Sequence, residues 1–559
     1  MSGKTKKLGD ILVENFLITQ DQLVSALALQ RQTNKKLGQI LVDEGFVDEK
    51  QIMQVLEIQL GVEQVALDTF EVESAVPFLI NERLARKHNL LPIKIENGRL
   101  VVAMSDPMNI FAMDDVKVAT GYDVQPVIAT YHDIEAAIDR NYRKVTAQKA
   151  LEEFSESYVL DFAPDEDEEV SEKVANAPIV KLVQTVIEQA VKLKASDIHI
   201  EPADDRVRIR YRIDGELAEG ISPSRSSHAA IVTRIKIMGR MDIAEKRIPQ
   251  DGRVEMELEG RPIDMRISIL PTVHGEKIVI RLLDRSGEVM TKEQLGFTPG
   301  NINAFNRIIK SPHGIILVTG PTGSGKTTTL YAALSELNSV TKNIITIEDP
   351  VEYRLAGVNQ SQVNVKAGLT FANGLRSVLR QDPDIVMVGE IRDPETAQIA
   401  VRAAITGHLV LSTVHTNDTA STIARLVDMG IEPYLLSSSI VGIIAQRLVR
   451  RICPNCRVAY EASALEAETL GVQGGTTIYR GTGCNSCNQS GYSGRMAIHE
   501  VMVVNKRVRE LMENRGTTDA IKEAAVDSGM STLRDNCVKL VIDGVITTDE
   551  LFRLTYNVE

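Results

Sequence analysis

One glycine-rich segment has the residue types and the spacing of a phosphate-binding loop. The segment GPTGSGKT follows the apolar run GIILVTG and precedes TTTLYAALSEL, whose pattern predicts a helix. Glycines let backbone N–H groups turn toward a β-phosphate, a lysine can reach the β- and γ-oxygens, and a hydroxyl can hold Mg²⁺. Because strand, loop and helix occur in the required order, a chance glycine turn is the minor alternative. The predicted nucleotide-binding residues are Gly320, Pro321, Thr322, Gly323, Ser324, Gly325, Lys326, Thr327 and Thr328.

Three further apolar segments end in polar groups that could complete a hydrolytic site. NIITIEDPVEY leads into Glu348, DIVMVGEIRD leads into Glu390, and HLVLSTVHTND has His408 before its apolar run and His415 after it. In a parallel sheet the carboxyl ends of the strands meet at one edge, so these groups are expected near the phosphates. The alternatives stay open, because acids at strand ends are also common helix caps and a single histidine is more often structural.

Four cysteines form two Cys-x-x-Cys pairs, CPNC and CNSC, at Cys453, Cys456, Cys484 and Cys487. Two such pairs can supply the four thiolates of a tetrahedral zinc site, and four protein ligands leave no open position, which predicts a structural metal. A redox pair is the minor alternative. The fifth cysteine, Cys537, lies in a helical pattern and is expected to be a buried apolar residue.

Composition limits the classes of function. The chain has 559 residues and a formal net charge of −13, which predicts about three to four domains and argues against general nucleic-acid binding. Acidic residues interrupt the start of the chain where a signal peptide would be apolar, and no apolar run reaches the roughly 18 residues that a membrane-spanning helix needs. These features, with the paired cysteines, favour a cytoplasmic location.

The beginning of the chain contains a duplicated phrase. KLGDILVENFLITQDQLVSALALQ spans residues 7–30, and KLGQILVDEGFVDEKQIMQVLEIQ spans 36–59. Each copy predicts a short helix, a turn and a longer helix. One interpretation is that the two copies form a structural module of four helices with a core of leucines. The expected core positions are Leu8, Leu12, Leu37 and Leu41.

Composition also divides the rest of the chain. The patterns predict a first domain over residues 1–143, in which a small α/β unit follows the repeats, and an acidic linker over 144–174. A second α/β domain is expected over 175–295. The phosphate-binding loop belongs to a third domain over 296–559, which includes the cysteine element at 453–487.

Across nearly its whole length the chain resembles the secretion ATPase superfamily that drives type II secretion and type IV pilus assembly, the GspE and PilB group. GPTGSGKT resembles Walker A, TIEDPVEY the Asp box, VMVGEIRD a Walker B with Glu in place of Asp, and HLVLSTVHTND the His box. The resemblance implies that Glu348 polarises the attacking water, Glu390 orders Mg²⁺ and His415 lies near the nucleotide. ASDIHIEP, RIPQDGR and DMRISILPTVHGEKIVIRLL match the middle domain and imply that Arg266 and Arg281 act on the nucleotide, although strand alternation alone favours solvent-facing arginines.

The resemblance also implies an α/β multidomain architecture and an assembly. The helical duplicated module and small α/β unit would precede a PAS-like α/β middle domain and a RecA-like ATPase domain with a zinc-binding C-terminal subdomain. A homo-hexamer would hydrolyse ATP with Mg²⁺ and act on an inner-membrane platform protein and its cytoplasmic adaptor domains. The four cysteines favour export or pilus extension over retraction. The alternatives from other classes are a nucleic-acid-translocating motor, which the acidic charge disfavours, and a nucleotide-dependent regulatory switch.

The duplicated phrase resembles the MshE-like N-terminal domain that binds cyclic di-GMP through tandem copies beginning Arg-Leu-Gly. Both copies here have lysine in place of arginine, and lysine can serve phosphate as a point charge without offering a planar fork. The first copy also has Phe16 where the second has Gly45. A docking module for membrane partners is the alternative. The candidate cyclic di-GMP residues are Lys7, Leu8, Gly9, Gln30, Lys36, Leu37, Gly38 and Gln59.

Overall fold

The fold was analysed in a computed structural model. The repeat residues Lys7, Lys36, Gly38 and Gln59, the side chain of Leu8 and the predicted linker 144–174 lie outside the described part. Among the described residues, no helix combines the length and the apolar character needed to cross a bilayer. The structure describes residues 8–15, 17–33, 37, 40–41, 44–48, 51, 57, 62–67, 70, 72–73, 75–138, 141–142, 177–258, 260–284 and 290–555.

The first copy of the repeated phrase forms a helical hairpin. Leu12 and Leu41 are fully buried and share one apolar cluster with Leu23, so residues of both copies contribute to one core. A Cβ on Gly9 would lie 2.5 Å from Cδ1 of Leu23, which gives the glycine of this Lys-Leu-Gly a packing role between the two helices. The helices are α1 (Leu8–Glu14) and α2 (Gln20–Thr33).

A small α/β unit follows. Its three-stranded sheet has the order β1-β2-β3, with β1 and β2 antiparallel and β2 and β3 parallel. The buried hydroxyl of Tyr142 donates to the carbonyls of Pro77 and Ile80 at 2.5 and 3.1 Å, which ties the end of the unit to its start. The elements are α3 (Glu82–His88), β1 (Leu90–Glu96), β2 (Arg99–Met104), α4 (Ile110–Thr120) and β3 (Asp123–Ile128), with further helix at 131–138.

The middle of the chain forms a six-stranded antiparallel sheet of order β6-β5-β4-β9-β8-β7. Along β5 the apolar residues Val207, Ile209 and Tyr211 are buried, while the arginines between them are not, as alternation predicts. Two helices share the core of this sheet. The elements are α5 (Ala177–Lys192), β4 (Asp197–Pro202), β5 (Val207–Ile213), β6 (Glu216–Glu219), α6 (His228–Gly239), β7 (Gln250–Leu258), β8 (Arg261–Thr272) and β9 (Gly275–Asp284).

A seven-stranded sheet of order β12-β11-β13-β14-β10-β15-β18 carries the phosphate-binding loop. All neighbours are parallel except the antiparallel edge pair β15 and β18. The carboxyl ends of β10, β11, β13 and β14 therefore lie at one edge. The strands are β10 (Gly314–Thr319), β11 (Ile344–Glu348), β12 (Asn359–Gln362), β13 (Ile385–Val388), β14 (Leu409–Val414), β15 (Ile440–Ile452) and β18 (Tyr492–Val503).

Helices cover both faces of this sheet and bury two apolar clusters. The central strands β10, β11, β13 and β14 are buried along their whole length, as expected for strands covered on both faces. The helices are α7 (Pro299–Ile309), α8 (Lys326–Leu337), α9 (Phe371–Val378), α10 (Pro394–Ile405), α11 (Thr419–Asp428), α12 (Pro433–Ser439), α14 (Lys506–Glu513) and α15 (Thr518–Asp527).

The C-terminal part adds a hairpin of β16 and β17 packed with three helices. Cys537 is fully buried in this apolar core, which confirms the prediction from its helical pattern. The cysteine pairs lie at the base of the hairpin, before β16 and after β17. The elements are β16 (Arg457–Glu461), α13 (Ala464–Leu470), β17 (Thr477–Gly481), α16 (Leu533–Ile542) and α17 (Thr548–Thr555).

Candidate functional site

The glycine-rich loop joins β10 directly to α8. Gly320 has a φ of 148°, and a Cβ there would lie 2.4 Å from the carbonyl oxygen of Gln446, so the position requires glycine. The ammonium of Lys326 donates to the carbonyls of Gly320 and Pro321 at 2.8 and 2.9 Å, and burial lowers its pKa to about 8. The hydroxyl of Ser324 is buried and has no hydrogen-bond partner among the described residues. An anion in this loop would therefore meet a lysine and an unused hydroxyl.

The remaining loop residues are placed for access from solvent. Thr322 and Gly323 are exposed at the tip of the loop, whereas Gly325 is half-buried where α8 begins. Thr327 and Thr328 are half-buried in the first turn of α8. The start of α8 thus presents backbone donors and hydroxyls next to Lys326, as anion binding at a helix N-terminus requires.

Glu348 ends β11 as a buried carboxylate held by three donors. Its side chain accepts hydrogen bonds from the Tyr331 hydroxyl at 2.5 Å, from the Thr346 hydroxyl at 2.6 Å and from the Gln360 amide at 3.1 Å. Burial, together with the hydrogen bond to Glu348, raises the pKa of Tyr331, so the phenol stays protonated and donates. The residue itself is only 3% exposed. Such a fixed carboxylate is oriented before any substrate binds.

Glu390 and His415 meet at the same edge of the sheet. The Nε2 atom of His415 lies 3.2 Å from a carboxylate oxygen of Glu390, and Arg392 contacts the same oxygen through Nε at 2.6 Å. A Cβ on Gly389 would lie 3.3 Å from Cα of Glu348, so the glycine lets the ends of β11 and β13 approach closely. The structure thus brings the two predicted acids and the predicted histidine to the edge of the sheet that carries the glycine-rich loop.

Three further candidate residues, two arginines and one histidine, do not join the group formed by Glu348, Glu390 and His415. Arg266 of β8 pairs with Glu352, four residues after Glu348, at 2.7 Å, while Arg281 of β9 pairs with Asp197 within its own sheet at 3.0 Å. His408 lies before β14, at the opposite edge of the sheet, where a ring nitrogen contacts a backbone carbonyl at 2.9 Å. In this arrangement Arg266 reaches the segment after β11, and Arg281 stays in the middle sheet.

Sequence reasoning missed two residues at the end of the apolar run of β15. The Gln446 amide donates to the Ser324 carbonyl at 2.8 Å and accepts from the Thr329 hydroxyl at 2.6 Å, so it fixes both the loop and α8. Arg447 donates to the Asn417 carbonyl at 2.8 Å, and burial lowers its pKa. The sequence feature that could have indicated them is the polar Gln-Arg pair inside the segment IVGIIAQRLVRR.

The four predicted metal ligands form one buried cluster. The Sγ atoms of Cys453 and Cys484 lie 3.8 Å apart, as do those of Cys456 and Cys487, and Cys484 and Cys487 are 3.7 Å apart. A tetrahedral zinc ion with Zn–S bonds of about 2.3 Å needs sulfur atoms about 3.8 Å apart. The backbone N–H groups of Cys484 and Gly491 also donate to Sγ of Cys487. Distances and donors therefore fit a zinc ion.

The cyclic di-GMP candidates are described only in part. Gly9 is buried against α2, and Gln30 and Leu37 are half-buried. The other candidate residues lie outside the described part, apart from the backbone of Leu8 in α1.

The fold and the site define a P-loop ATPase with a four-cysteine centre. The phosphate-binding strand β10 lies between β14 and β15, and the strands that carry Glu390 and Glu348 follow beyond β14, an arrangement consistent with a RecA-like ATPase. The chain belongs to the type II/IV secretion system protein family, whose model matches residues 172–553. Residues 60–148 match the MshEN domain, and that match begins just after the second copy of the repeated phrase.

Relatives of known name cover most of the chain. The type IV pilus assembly ATPase PilB of Myxococcus xanthus is 44% identical over 99% of this chain and 98% of its own. The type II secretion system ATPase E of Vibrio cholerae is 43% identical over 80% of this chain and 91% of its own. The X-ray structure of the Legionella pneumophila ATPase DotB has a TM-score of 0.50 and 22% identity over 67% of this chain and 95% of that one, which shows a shared fold alone.

Proposed function

We propose that the chain is a Mg²⁺-dependent motor ATPase that powers pilin or pseudopilin assembly in type IV pilus biogenesis or type II secretion. The observation that carries this proposal is the convergence of Lys326, Glu348 and the Glu390–His415 pair at one edge of a parallel sheet. The relatives named for type IV pilus assembly and type II secretion support assembly as the process that ATP hydrolysis drives. The four cysteines support pilus extension or protein export over pilus retraction.

The proposed chemistry assigns a role to each group. Backbone N–H groups of the loop from Gly320 to Thr328 bind the phosphates, and Lys326 neutralises the β- and γ-oxygens. Glu348 orients and polarises the attacking water, while His415 senses the γ-phosphate from its contact with Glu390. Thr327 and Glu390 would hold Mg²⁺, which supplies neutralisation of the phosphate charge as the terminal bond breaks.

The middle domain, which we assign as PAS-like, is proposed to supply cations to the transition state. Arg266 already reaches the segment that follows Glu348, through its ion pair with Glu352. A shift of the middle sheet would exchange that carboxylate for a phosphate oxygen and bring Arg281 closer. A guanidinium at the γ-phosphate stabilises the charge that develops there and couples hydrolysis to domain position.

The proposed assembly is a homo-hexamer on the cytoplasmic side of the inner membrane, where ATP is supplied. It would act through a membrane platform protein and that protein's adaptor domains, with no role for nucleic acid. The division into residues 1–143, an acidic linker at 144–174, 175–295 and 296–559 is part of this proposal, because each part would move against the next.

Steady-state hydrolysis tests the proposed class of function. The full-length chain should hydrolyse ATP through many turnovers with Mg²⁺ and show no turnover when Mg²⁺ is left out of the buffer, because phosphate charge would then be uncompensated. Duplex and single-stranded DNA should leave the rate unchanged. Strong stimulation by DNA would instead support a translocase, and a single turnover per chain would support a switch.

We also propose that the N-terminal repeats bind cyclic di-GMP, one copy to each half of this two-fold symmetric ligand. The proposal is supported by the resemblance of the two repeats to such a domain and by the MshEN match of the residues 60–148 that follow them. The residues assigned to it are Lys7, Leu8, Gly9, Gln30, Lys36, Leu37, Gly38 and Gln59.

Calorimetric titration of the full-length chain with cyclic di-GMP tests this site. We expect saturable binding that the double variant Lys7→Ala/Lys36→Ala weakens by at least about tenfold, since each lysine contributes a charge-assisted contact to phosphate. Lys87→Ala, which removes an exposed lysine of the same region, is the matched control. If cyclic di-GMP gives no heat of binding with the folded parent chain, the cyclic di-GMP proposal is wrong and the alternative, a docking module, is supported.

A further inference from the structure

Glu500 is a buried carboxylate in the edge strand β18, opposite Ala445 of β15, which in turn lies opposite Thr319 at the end of β10. One of its oxygens accepts hydrogen bonds from the Thr419 backbone N–H at 3.1 Å and from the Thr419 hydroxyl at 2.5 Å. The other accepts from the backbone N–H of Leu533 at 3.2 Å. Glu500 is only 2% exposed. Burial lowers the pKa of Arg447, and the negative charge of Glu500 acts on that pKa in the opposite direction.

The two residues that donate, Thr419 and Leu533, are the first residues of two separate helices, α11 and α16. The N-terminal N–H groups of a helix carry a partial positive charge, so one carboxylate compensates both helix starts. Helix α16 packs in the apolar core that also contains Ile478 of β17. Glu500 therefore joins the start of α11 to the subdomain that carries the four cysteines.

Helix α11 begins directly after the loop that holds His415. This loop, residues 415–418, is fixed to the strand before the phosphate-binding loop, because Thr416 exchanges hydrogen bonds with the hydroxyl of Thr319 at 2.6 and 2.9 Å. Arg447 holds the carbonyl of Asn417. Glu500 supplies the anchor at the far end of the loop.

We propose that Glu500 is a positioning residue for ATP hydrolysis: it holds the start of α11 so that the 415–418 loop keeps His415 against Glu390, and it links this geometry to the cysteine-bearing subdomain through α16. The inference rests on the proposed function. Movement of α16 relative to β18 would pull on a shared carboxylate and shift the loop. A displacement of about 1 Å in such a group can cost about 100-fold in rate.

The test compares Glu500→Gln with variants that separate position from stability. The amide can accept at one helix start only and sets its own N–H₂ against the other, so kcat should fall by at least about tenfold. The ATP dissociation constant should stay unchanged, since Lys326 and its loop are untouched. Val401→Ala, a buried substitution in α10 and away from α11 and α16 in the chain, should lower the melting temperature and leave kcat unchanged.

A second pair of variants covers the case in which Glu500→Gln does not fold. Thr419→Ala removes one donor to Glu500 and should lower kcat, and Thr419→Ser, which retains the hydroxyl, should restore it. Hydrogen exchange of amides 416–421 should accelerate in Thr419→Ala and in folded Glu500→Gln. An unchanged kcat with unchanged exchange in either variant, or an equal fall of kcat in Val401→Ala, would overturn the proposal.

The exchange measurement separates this inference from the proposed function. It is made without nucleotide, so it reports on Glu500 even in a chain that shows no hydrolysis. Absence of turnover in the parent chain contradicts the ATPase proposal alone, whereas normal exchange in the variants contradicts the role of Glu500 alone.

Discussion

Replacing Glu348 with glutamine should reduce ATP turnover by about 100- to 10,000-fold, the range that a positioned acid–base group contributes. The carboxylate is 3% exposed and fixed by Tyr331, Thr346 and Gln360. Glutamine has the same size, so the space around the side chain stays filled while the base that we propose to polarise water is lost. Single-turnover and steady-state assays with the purified full-length variant measure the effect.

Nucleotide binding distinguishes this role from a structural one. Lys326 and the loop from Gly320 are untouched by the change, so the affinity for ATP should remain that of the parent chain. Glu336→Gln makes the same chemical change at a partly exposed glutamate of α8 and should leave turnover intact. Parental turnover in Glu348→Gln would remove the assignment of this residue as the water-polarising group.

Replacing Cys453 with serine should remove zinc and destabilise the C-terminal subdomain. Structural zinc contributes roughly 10–16 kcal/mol of apparent binding free energy in small zinc peptides, and binding of that size also stabilises the fold. The four sulfur atoms lie close enough to share one ion, and a serine hydroxyl is a poor substitute for a thiolate. Metal analysis of the purified chain should fall from about one zinc per chain to near zero.

Thermal unfolding and solubility report on the same site. The Cys453→Ser variant should melt at a lower temperature and aggregate, and EDTA should shift the parent chain in the same direction. Cys537→Ala is the matched control, because this fully buried cysteine lies in the apolar core apart from the four ligands and should leave zinc content unchanged. Full zinc content in Cys453→Ser would contradict a site of four thiolates.

The candidate catalytic residues at the strand ends could be predicted from the sequence, because each one follows an apolar run within a short segment of the chain. A buried strand, a glycine loop and a helix predict a phosphate site, and apolar runs ending in Glu348, Glu390 and His415 predict one shared edge. The cysteine spacing likewise predicts a cluster. Each apolar run and its polar end lie within about ten residues, and each Cys-x-x-Cys pair is local in the same way, so periodicity and spacing are sufficient evidence.

The residues that hold this chemistry in place could not be predicted in the same way. Tyr331 lies on the apolar face of α8 and has the pattern of a core residue, and only packing brings its hydroxyl to Glu348. Gln446 and Arg447 belong to β15 and Glu500 to the edge strand β18, and these two strands pair antiparallel far along the chain. Their partners are distant in sequence, so no local pattern specifies them.

Two predicted features gained a different physical reading from the structure. The glycine of the first Lys-Leu-Gly packs against Leu23, so its presence is explained by the contact of two helices before any ligand is considered. Arg266 pairs with Glu352 in the segment after β11, a contact that depends on the position of the middle sheet, whereas Arg281 pairs with Asp197 on the neighbouring strand β4 of its own sheet.

The measurement that tests the central claim most directly is replacement of the chromosomal copy by Glu348→Gln in the organism that encodes this chain. The account predicts that surface pili, or export of the secreted proteins, are lost while the variant accumulates to the parental level, with Glu336→Gln indistinguishable from the parent. Normal pili and normal export in cells that contain only the hydrolysis-deficient chain would contradict the proposal that this ATPase powers assembly.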